Sequence, residues 1–536
     1  MKILFSFSPT KVLLRAIVLT VAGAKGGLAF FFSLSLSAQP TIQWQKCLGG
    51  NSIETAYASQ QTTDGGYIIA GSAFSFNNGD VMNVHGGGDF WVVKLDSTGA
   101  IEWQKPLGGS STEVPYSIKQ TSDRGYIVAG QTHSSDGDVS GYHGGLDYWV
   151  VKLNSAGAIE WQRALGGTYD DTAQSVEQTY DGGYIVAGRA GSTDGDVQSQ
   201  SHGLYEIWVV KLSATGDTQW EKLYGGSSAE IAYSIRQTSD GGYVFAGATK
   251  SNDGDVTGNN GNDDFWVVKI DSVGVIEWQK ALGGIGADAA RDVGHTSAGG
   301  YIVSGTAGSG NTGQVSGSHG DFDVWVVKLN NIGELQWQKA LGGSKPDYGS
   351  SVAETSDEGY IISGISQSTN GDLLGNLDFG SSAWVVKLSG AGELQWQRAL
   401  GGTLPDRLYA AQQTNDGGFF LAGETESNDG DVSGNHGSSD FWVVKLSPLS
   451  SPTTTPQTLP IEIFPNPATT SISLKTPTDV STLNLSITDL LGRELSRQTI
   501  TNGGNANISA LPNGLYLITA TTDSGKVYSG RFRKQE

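Results

Sequence analysis

Residues 116–121 (YSIKQT), 122–125 (SDRG) and 126–130 (YIVAG) are followed, after a polar glycine-rich stretch, by 147–153 (DYWVVKL), 154–157 (NSAG) and 159–163 (IEWQR). The first run alternates apolar and polar side chains, the period of a half-buried strand, and a four-residue turn leads back along 126–130. The second half repeats the device: a strand, a turn ending in glycine, a strand. Two such hairpins make one small antiparallel sheet.

This unit recurs along the chain. One tryptophan series runs Trp44, Trp103, Trp161, Trp220, Trp278, Trp337, Trp396, and a second runs Trp91, Trp149, Trp208, Trp266, Trp325, Trp384, Trp442. Both have a period of 58 or 59, and together they account for all 14 tryptophans. A fixed period of this length marks a repeat architecture, and an indole present in every unit reads as packing. Seven four-stranded units suit radial packing around a channel, so the expectation for residues 39–446 is an all-β, seven-bladed β-propeller.

Repeat phase predicts how the ring closes. Ile42 to Leu48 is a fourth-strand segment with no WVVK strand before it, and Phe441 to Leu446 is a WVVK strand with no EWQK strand after it. Pairing them completes the seventh sheet and removes two open edges. The connections inside the hairpins are short. The other two, about 17 and 8 residues, fall on the opposite face, where ligands of such folds are met.

The 77 glycines among 536 residues fit a turn-rich, all-β chain. Lys2, Lys11 and Arg15 precede apolar runs from Ala16 to Ala24 and from Leu28 to Ala38, which reads as an export signal over 1–38, cleaved after Ala38. The break at Lys25 to Gly27 leaves no stretch of the roughly 20 apolar residues that a permanent membrane span needs. Without this segment the chain carries 29 Lys+Arg against 54 Asp+Glu, a balance that repels nucleic acid and leaves cations and neutral glycans open. Cys47 is the single cysteine, so no disulfide forms within the chain. Sister positions hold Pro106, Ala164, Leu223, Ala281, Ala340 and Ala399, which makes Cys47 a small core filler.

Beyond a Ser/Thr/Pro linker at 447–460, the segment 461–536 opens with IEIFPNPA (461–468). It continues through DLLGR (489–493) and LPNGLY (511–516) to a basic end at Arg531, Arg533 and Lys534. Alternation at 470–474, 483–488 and 515–520 predicts a small β-sandwich of the immunoglobulin type. The repeat block, with its LGG…DGGYIVAG…DFWVVKL…WQ pattern over 42–446, resembles the secreted β-propeller-repeat proteins of Bacteroidetes-type bacteria. The C-terminal segment resembles the type A sorting domain of the type IX secretion system. That resemblance implies a Sec signal first, then passage across an outer membrane through contacts between residues 461–536 and the secretion machinery. It also implies a tail that is usually cleaved, leaving the cargo released or attached to surface lipopolysaccharide.

Three polar series run through the expected loops. An acid stands ten residues after each first-series tryptophan: Glu54, Glu113, Asp171, Glu230, Asp288, Asp347, Asp406. A histidine stands six before the second-series tryptophan at His85, His143, His202, His319 and His436, and an acid two before it at Asp89, Asp147, Glu206, Asp264, Asp323 and Asp440. A residue present in nearly every repeat most simply ties each loop to its own strand, since a catalytic site needs different groups in different roles. Asp136-Gly137-Asp138, Asp194-Gly195-Asp196, Asp253-Gly254-Asp255 and Asp429-Gly430-Asp431 offer oxygen ligands of the kind calcium uses, without the bidentate Glu of an EF-hand and with Gln314 replacing one Asp. Arg291, His295, Arg407, His133 and Lys345 depart from their sister positions as scattered single residues. Phosphate-loop, zinc-spacing and dinucleotide fingerprints are absent, and no catalytic, cofactor or metal residue is assigned.

The expectation is therefore a secreted or surface-held, non-catalytic propeller that binds an extracellular glycan or protein. Two alternatives stand beside it: a glycan-active hydrolase or lyase on the same scaffold, which needs two carboxylates facing one another across a sugar, and a structural surface-layer or adhesion component.

Overall fold

The computed structural model describes residues 39–373, 380–449, 459–475, 482–489, 494–501, 503–522 and 526–535. The expected signal segment, linker residues 450–458 and Leu490 to Arg493 of the DLLGR motif lie outside them. Among the described residues every regular element is a strand, and no helix is long and apolar enough to cross a membrane. The chain divides into two units, Met1–Leu449 and Ser450–Glu536.

In the first unit each repeat folds as its turns dictate. In the second repeat the strands are Glu113–Gln120, Tyr126–Thr132, Asp147–Leu153 and Ile159–Leu165, hydrogen-bonded in chain order and antiparallel. The Asp123 carboxylate accepts from the Thr121 hydroxyl and from Gly125 N at 2.8 Å, fixing the first turn. Arg124 there, like Glu358 in its own repeat, takes a left-handed φ (68° and 60°) that glycine fills in sister turns such as Gly65 and Gly182. Lys152 is buried, yet its ammonium donates to Asp123 Oδ2 (2.8 Å), Glu160 Oε2 (2.8 Å) and Leu153 O (3.0 Å), so the WVVK lysine ties both turns of the sheet together. At Lys328 the aspartate partner is replaced by Ala298 and the ammonium meets the Thr296 hydroxyl instead.

Seven four-stranded antiparallel sheets of this pattern follow one another. Six are continuous in sequence. The seventh joins Asp406–Gln413, Phe419–Thr425 and Asp440–Leu446 to Ile42–Leu48 from the other end of the unit. Cys47 faces Trp442 and Leu48 faces Phe441, the register in which Ala164 faces Trp149 and Leu165 faces Tyr148. The indole N–H of Trp149 donates to Gln162 Oε1 at 2.8 Å, and that of Trp442 donates to Gln45 Oε1 at 3.0 Å, across 397 positions of sequence. Cys47 is a buried free thiol, pushed up to about 12 by burial and then by Asp440 and Asp406.

Where the third strand carries two aromatics, neighbouring sheets pack through them. Phe90 meets Trp149 at 4.6 Å between ring centres, Tyr148 meets Trp208 at 4.7 Å, and Phe441 of the seventh sheet meets Trp91 of the first at 4.6 Å. On the short-turn side, Gln120 Oε1 accepts from Thr63 N (2.8 Å), Gln178 Oε1 from Ser122 N (2.8 Å) and Gln61 Oε1 from Asn415 N (2.9 Å). The last bond again links seventh sheet to first, in the cyclic packing of a β-propeller. The long connections run shorter than expected: 14 residues between Thr132 and Asp147, and five between Leu107 and Glu113. The second is shorter because first strands begin three residues earlier than the alternation suggested, at the acidic residue itself, and the first because the second strand runs past Gly130 to Thr132.

In the second unit, Glu462–Phe464, Ser471–Lys475 and Asn505–Asn507 form one sheet. Leu459–Pro460, Val527–Lys534, Gly514–Thr522, Thr482–Thr488 and Glu494–Thr501 form a second, five-stranded one. Ile472, Leu474, Leu485, Ile518 and Phe532 share its core.

Trp149 is fully buried whereas Trp103 of the fourth-strand series is half-buried. Trp149→Ala should therefore cost about 3–5 kcal/mol of stability and Trp103→Ala clearly less. Urea unfolding of the full chain followed by tryptophan fluorescence reads the repeat unit alone, because every tryptophan lies in it; equal costs at the two positions would contradict this packing.

Candidate functional site

Each first strand carries one residue more than its partner. The register slips between Ala56 and Ala58, Pro115 and Ser117, Ala173 and Ser175, Ala232 and Ser234, Ala290 and Asp292, Gly349 and Ser351, and Leu408 and Ala410. A bulge of this kind re-aims the extra side chain. The seven residues so placed, Tyr57, Tyr116, Gln174, Tyr233, Arg291, Ser350 and Tyr409, all line one cavity of about 240 Å³ bounded by the seven first strands. They also line an adjoining space of about 370 Å³ with Thr306, Tyr348 and Ile365, at the end where the longer connections lie.

This ring breaks the sevenfold repetition. Tyr57 lies 5.4 Å from Tyr116 and 5.5 Å from Tyr409 between ring centres, giving a continuous aromatic arc. Across from it the Arg291 guanidinium lies over the Tyr233 ring at 4.1 Å, a cation–π contact. Burial raises the phenols of Tyr57 and Tyr116, the latter to about 12, so they are neutral hydroxyls. The Tyr409 hydroxyl donates to Glu424 Oε1 (3.2 Å), and Glu424 also accepts from Thr55 Oγ1 and Arg407 Nη1, both at 2.5 Å. One layer deeper, Arg236 Nη2 donates to Asp292 Oδ1 at 2.9 Å. The Ser234 hydroxyl (2.8 Å), Val352 N (3.1 Å) and Val293 N (3.0 Å) also donate to that carboxylate. Lys119 shares this layer; burial and then Arg236 lower it to about 8, against the opposing charges of Asp292 and Glu177.

The repeated polar series lie elsewhere. Glu54 accepts from Gly50 N (2.7 Å) and Ser75 N (2.9 Å), tying the short and long connections to the strand it opens. Asp89 accepts from His85 N, with His85 Nδ1 also at 2.9 Å; Asp147 holds His143, and Asp440 holds His436, in the same way. Carboxylates of both series converge at the sheet interfaces: a Cβ added to Gly166 would stand 2.7 Å from Asp171 Oδ2 and 2.8 Å from Asp147 Oδ1. In the Asp-Gly-Asp stretches, Asp136 Oδ1 accepts from Ser110 N (2.7 Å) and Asp138 Oδ2 from Gly108 N (3.2 Å). The neutral Gln314 makes the equivalent bond to Gly283 N at 3.1 Å, so what this position supplies is an acceptor. Among the described residues no group of three or more His, Cys, Asp or Glu is placed to hold a metal.

Of the five asymmetric residues, Arg291 lines the cavity and Arg407 braces its mouth through Glu424. His295 Nε2 donates to Gln237 O (2.8 Å), the His133 ring sits 6.2 Å from Tyr142, and Lys345 is exposed with its N–H on Ser368 Oγ. Sequence reasoning missed the bulge ring. Its signal was available three residues after each first-strand acid, where Tyr57, Tyr116, Tyr233 and Tyr409 recur and Gln174, Arg291 and Ser350 depart from them.

Residues 462–532 match the family described as the secretion system C-terminal sorting domain. The chain thus carries a type IX sorting domain and is secreted or held at the cell surface. Over 171 residues it is 27% identical to the regulatory protein FlaEY of Caulobacter vibrioides, covering 30% of this chain and 18% of that protein, so it spans less than a fifth of that relative's length. Among solved structures, the WD40 domain of Neurospora crassa Pan2 aligns at 11% identity over 75% of this chain and 95% of its own, with a TM-score of 0.41. The extracellular domain of a one-component system of B. thetaiotaomicron aligns at 11% over 90% and 81%, with a TM-score of 0.22. The architecture described above rests on this chain's own strand pairings.

Two sets of carboxyls set the pH dependence of stability. Burial raises Asp147 and Asp264 to about 6, so the stability they contribute is full below the ordinary value of 3.8 and lost as pH rises through 6. Asp123 is held at about 2 because hydrogen bonds from Lys152, Thr121 and Gly125 outweigh its burial penalty, and Asp64, Asp181 and Asp240 stand at the same level. Their contribution is present above 3.8 and lost as pH falls toward 2. The melting temperature should peak at about pH 4 and fall on either side. In the Asp147→Asn/Asp264→Asn double variant the decline above the peak should be shallower, and calorimetric curves parallel to the parent's would sink the assignment.

Proposed function

We propose that the seven sheets form one closed seven-bladed β-propeller over residues 39–446, released from a signal peptide at 1–38. In this reading a 447–460 linker joins the propeller to an immunoglobulin-like sorting sandwich at 461–536 that engages the secretion machinery. The propeller is a non-catalytic binding module whose ligand enters the axial cavity from the long-connection end. The observation that carries this reading is the bulge ring: seven equivalent positions, four of them tyrosine, converge on a single cavity and are the place where the repeat gives up its symmetry. Of the two ligand classes the fold admits, a glycan fits better. Cavities of about 240 and 370 Å³ admit a few sugar residues, and an arc of tyrosines presents ring faces for sugar C–H groups with hydroxyls at its rim. Glycosidic hydrolysis would need paired free carboxylates. Among the described residues lining the 240 Å³ cavity the one carboxylate is Asp292, already bonded to Arg236, Ser234 and Val352 N.

On a glycan array the full chain should retain a discrete set of oligosaccharides without cleaving them. Tyr57→Ala and Tyr116→Ala should each weaken retention about tenfold, some 1.4 kcal/mol, at an unchanged urea midpoint. Retention indifferent to both substitutions, or product sugars released on incubation, would overturn the reading.

A further inference from the structure

We infer that the bound end of the ligand is anionic, a carboxylated sugar of the uronic-acid type, gripped between Lys119 inside the cavity and Arg291 at its mouth. This deepens the glycan-binding reading and rests on it. The first ground is sign: the chain carries a net charge of −21, yet the cavity wall sets Lys119, Arg236 and Arg291 against Asp292 alone. The second is pairing. Arg236 and Asp292 neutralise each other at 2.9 Å. Among the described residues neither Lys119 nor Arg291 makes a direct ion pair: Asp292 and Glu177 act on Lys119 only through space, and Arg291 rests on the Tyr233 ring. A partly buried ammonium with no carboxylate in direct contact is under-compensated, and a carboxylate entering the cavity would supply that contact, while a guanidinium can grip a carboxylate with two parallel N–H donors.

A third ground is that neither residue performs a repeat task. The positions equivalent to Lys119 hold Gln60, Glu177, Arg236, Gly294, Ala353 and Gln412, and no other bulge position holds a cation. The walls supply donors rather than acceptors. Ser117 Oγ accepts from Val176 N (3.3 Å) and Ser175 Oγ from Ile235 N (3.2 Å), which leaves both hydroxyl hydrogens free to point at an oxyanion. Burial and Arg236 lower Lys119 to about 8, and a bound carboxylate would favour its charged form.

The test uses the full chain against oligogalacturonate, oligoglucuronate and oligomannuronate, each paired with its carboxyl-reduced neutral counterpart at one salt concentration, by calorimetry. At least one acidic member should bind tenfold or more tighter than its neutral partner. Lys119→Met and Arg291→Gln should each bring that ratio toward one. Arg291 is exposed, so its variant keeps the test sound if the Lys119 variant unfolds in urea too early. Neutral sugars binding as well as acidic ones, with Tyr116 still required, would overturn the anionic assignment and leave the glycan reading standing. No binding by any of the six probes or by the array would overturn both.

Discussion

A β-sheet of four strands has two open edges, and the 28 strands of the repeat unit leave one strand alone at one end and a three-stranded sheet at the other unless the two ends meet. In this protein they meet through Ile42–Leu48, which completes the sheet of Asp406–Leu446 in the register used by every other fourth strand. That pairing places Gln45 under the Trp442 indole, Phe441 against Trp91 and Gln61 under the Asn415 amide. Remove it and the seventh tryptophan loses its polar partner, the last sheet regains an aggregation-prone edge, and the seven first strands no longer enclose an axis. The cavity, and every claim about what enters it, depends on that one antiparallel pair.

Most of the repeated polar chemistry is consumed in building the ring. The strand-opening acids, the His–Asp pairs and the Asp-Gly-Asp stretches accept backbone N–H groups of the loops beside them, because loops packed between sheets must find partners for their amides. The WVVK lysines do the same for turn carbonyls and carboxylates. What the repeat does not consume is the bulge residue of each first strand, aimed inward by the extra backbone unit. Freed from a structural task, that position varies from tyrosine to glutamine, serine and arginine, and function can reside there without weakening the sheets.

Much of this architecture was legible in the sequence because its causes are local. Ser122 to Gly125 and Asn154 to Gly157 are turns by their own chemistry, the tryptophan period counts the sheets, and the unpaired strand types at 42–48 and 441–446 show where the ring closes. The C-terminal motifs from IEIFPNPA onward pointed to the sorting domain on their own. The cavity was hidden for a physical reason. Alternation assumes that successive side chains face opposite ways, and a bulge at Tyr116 or Arg291 breaks that phase, so the recurring tyrosines three residues after the strand-opening acid could not be assigned to a face by alternation alone. Arg291 thus looked like one of several scattered charges, until the slip between Ala290 and Asp292 set it on the same wall as Tyr57 and Tyr116. The strand starts were misplaced for a related reason: Glu113 and its sisters looked like loop acids, whereas a buried carboxylate that accepts from Gly109 N and the Thr132 hydroxyl can open a strand.

Hydrogen exchange on the full chain, read by mass spectrometry, tests the closure most directly. Amides of Ile42–Leu48 should be protected to the same degree as those of the sister strand Ile159–Leu165 and should open together with Asp440–Leu446. Rapid exchange of residues 42–48 while the rest of the seventh sheet stays protected would contradict the closed ring, and with it the axial cavity.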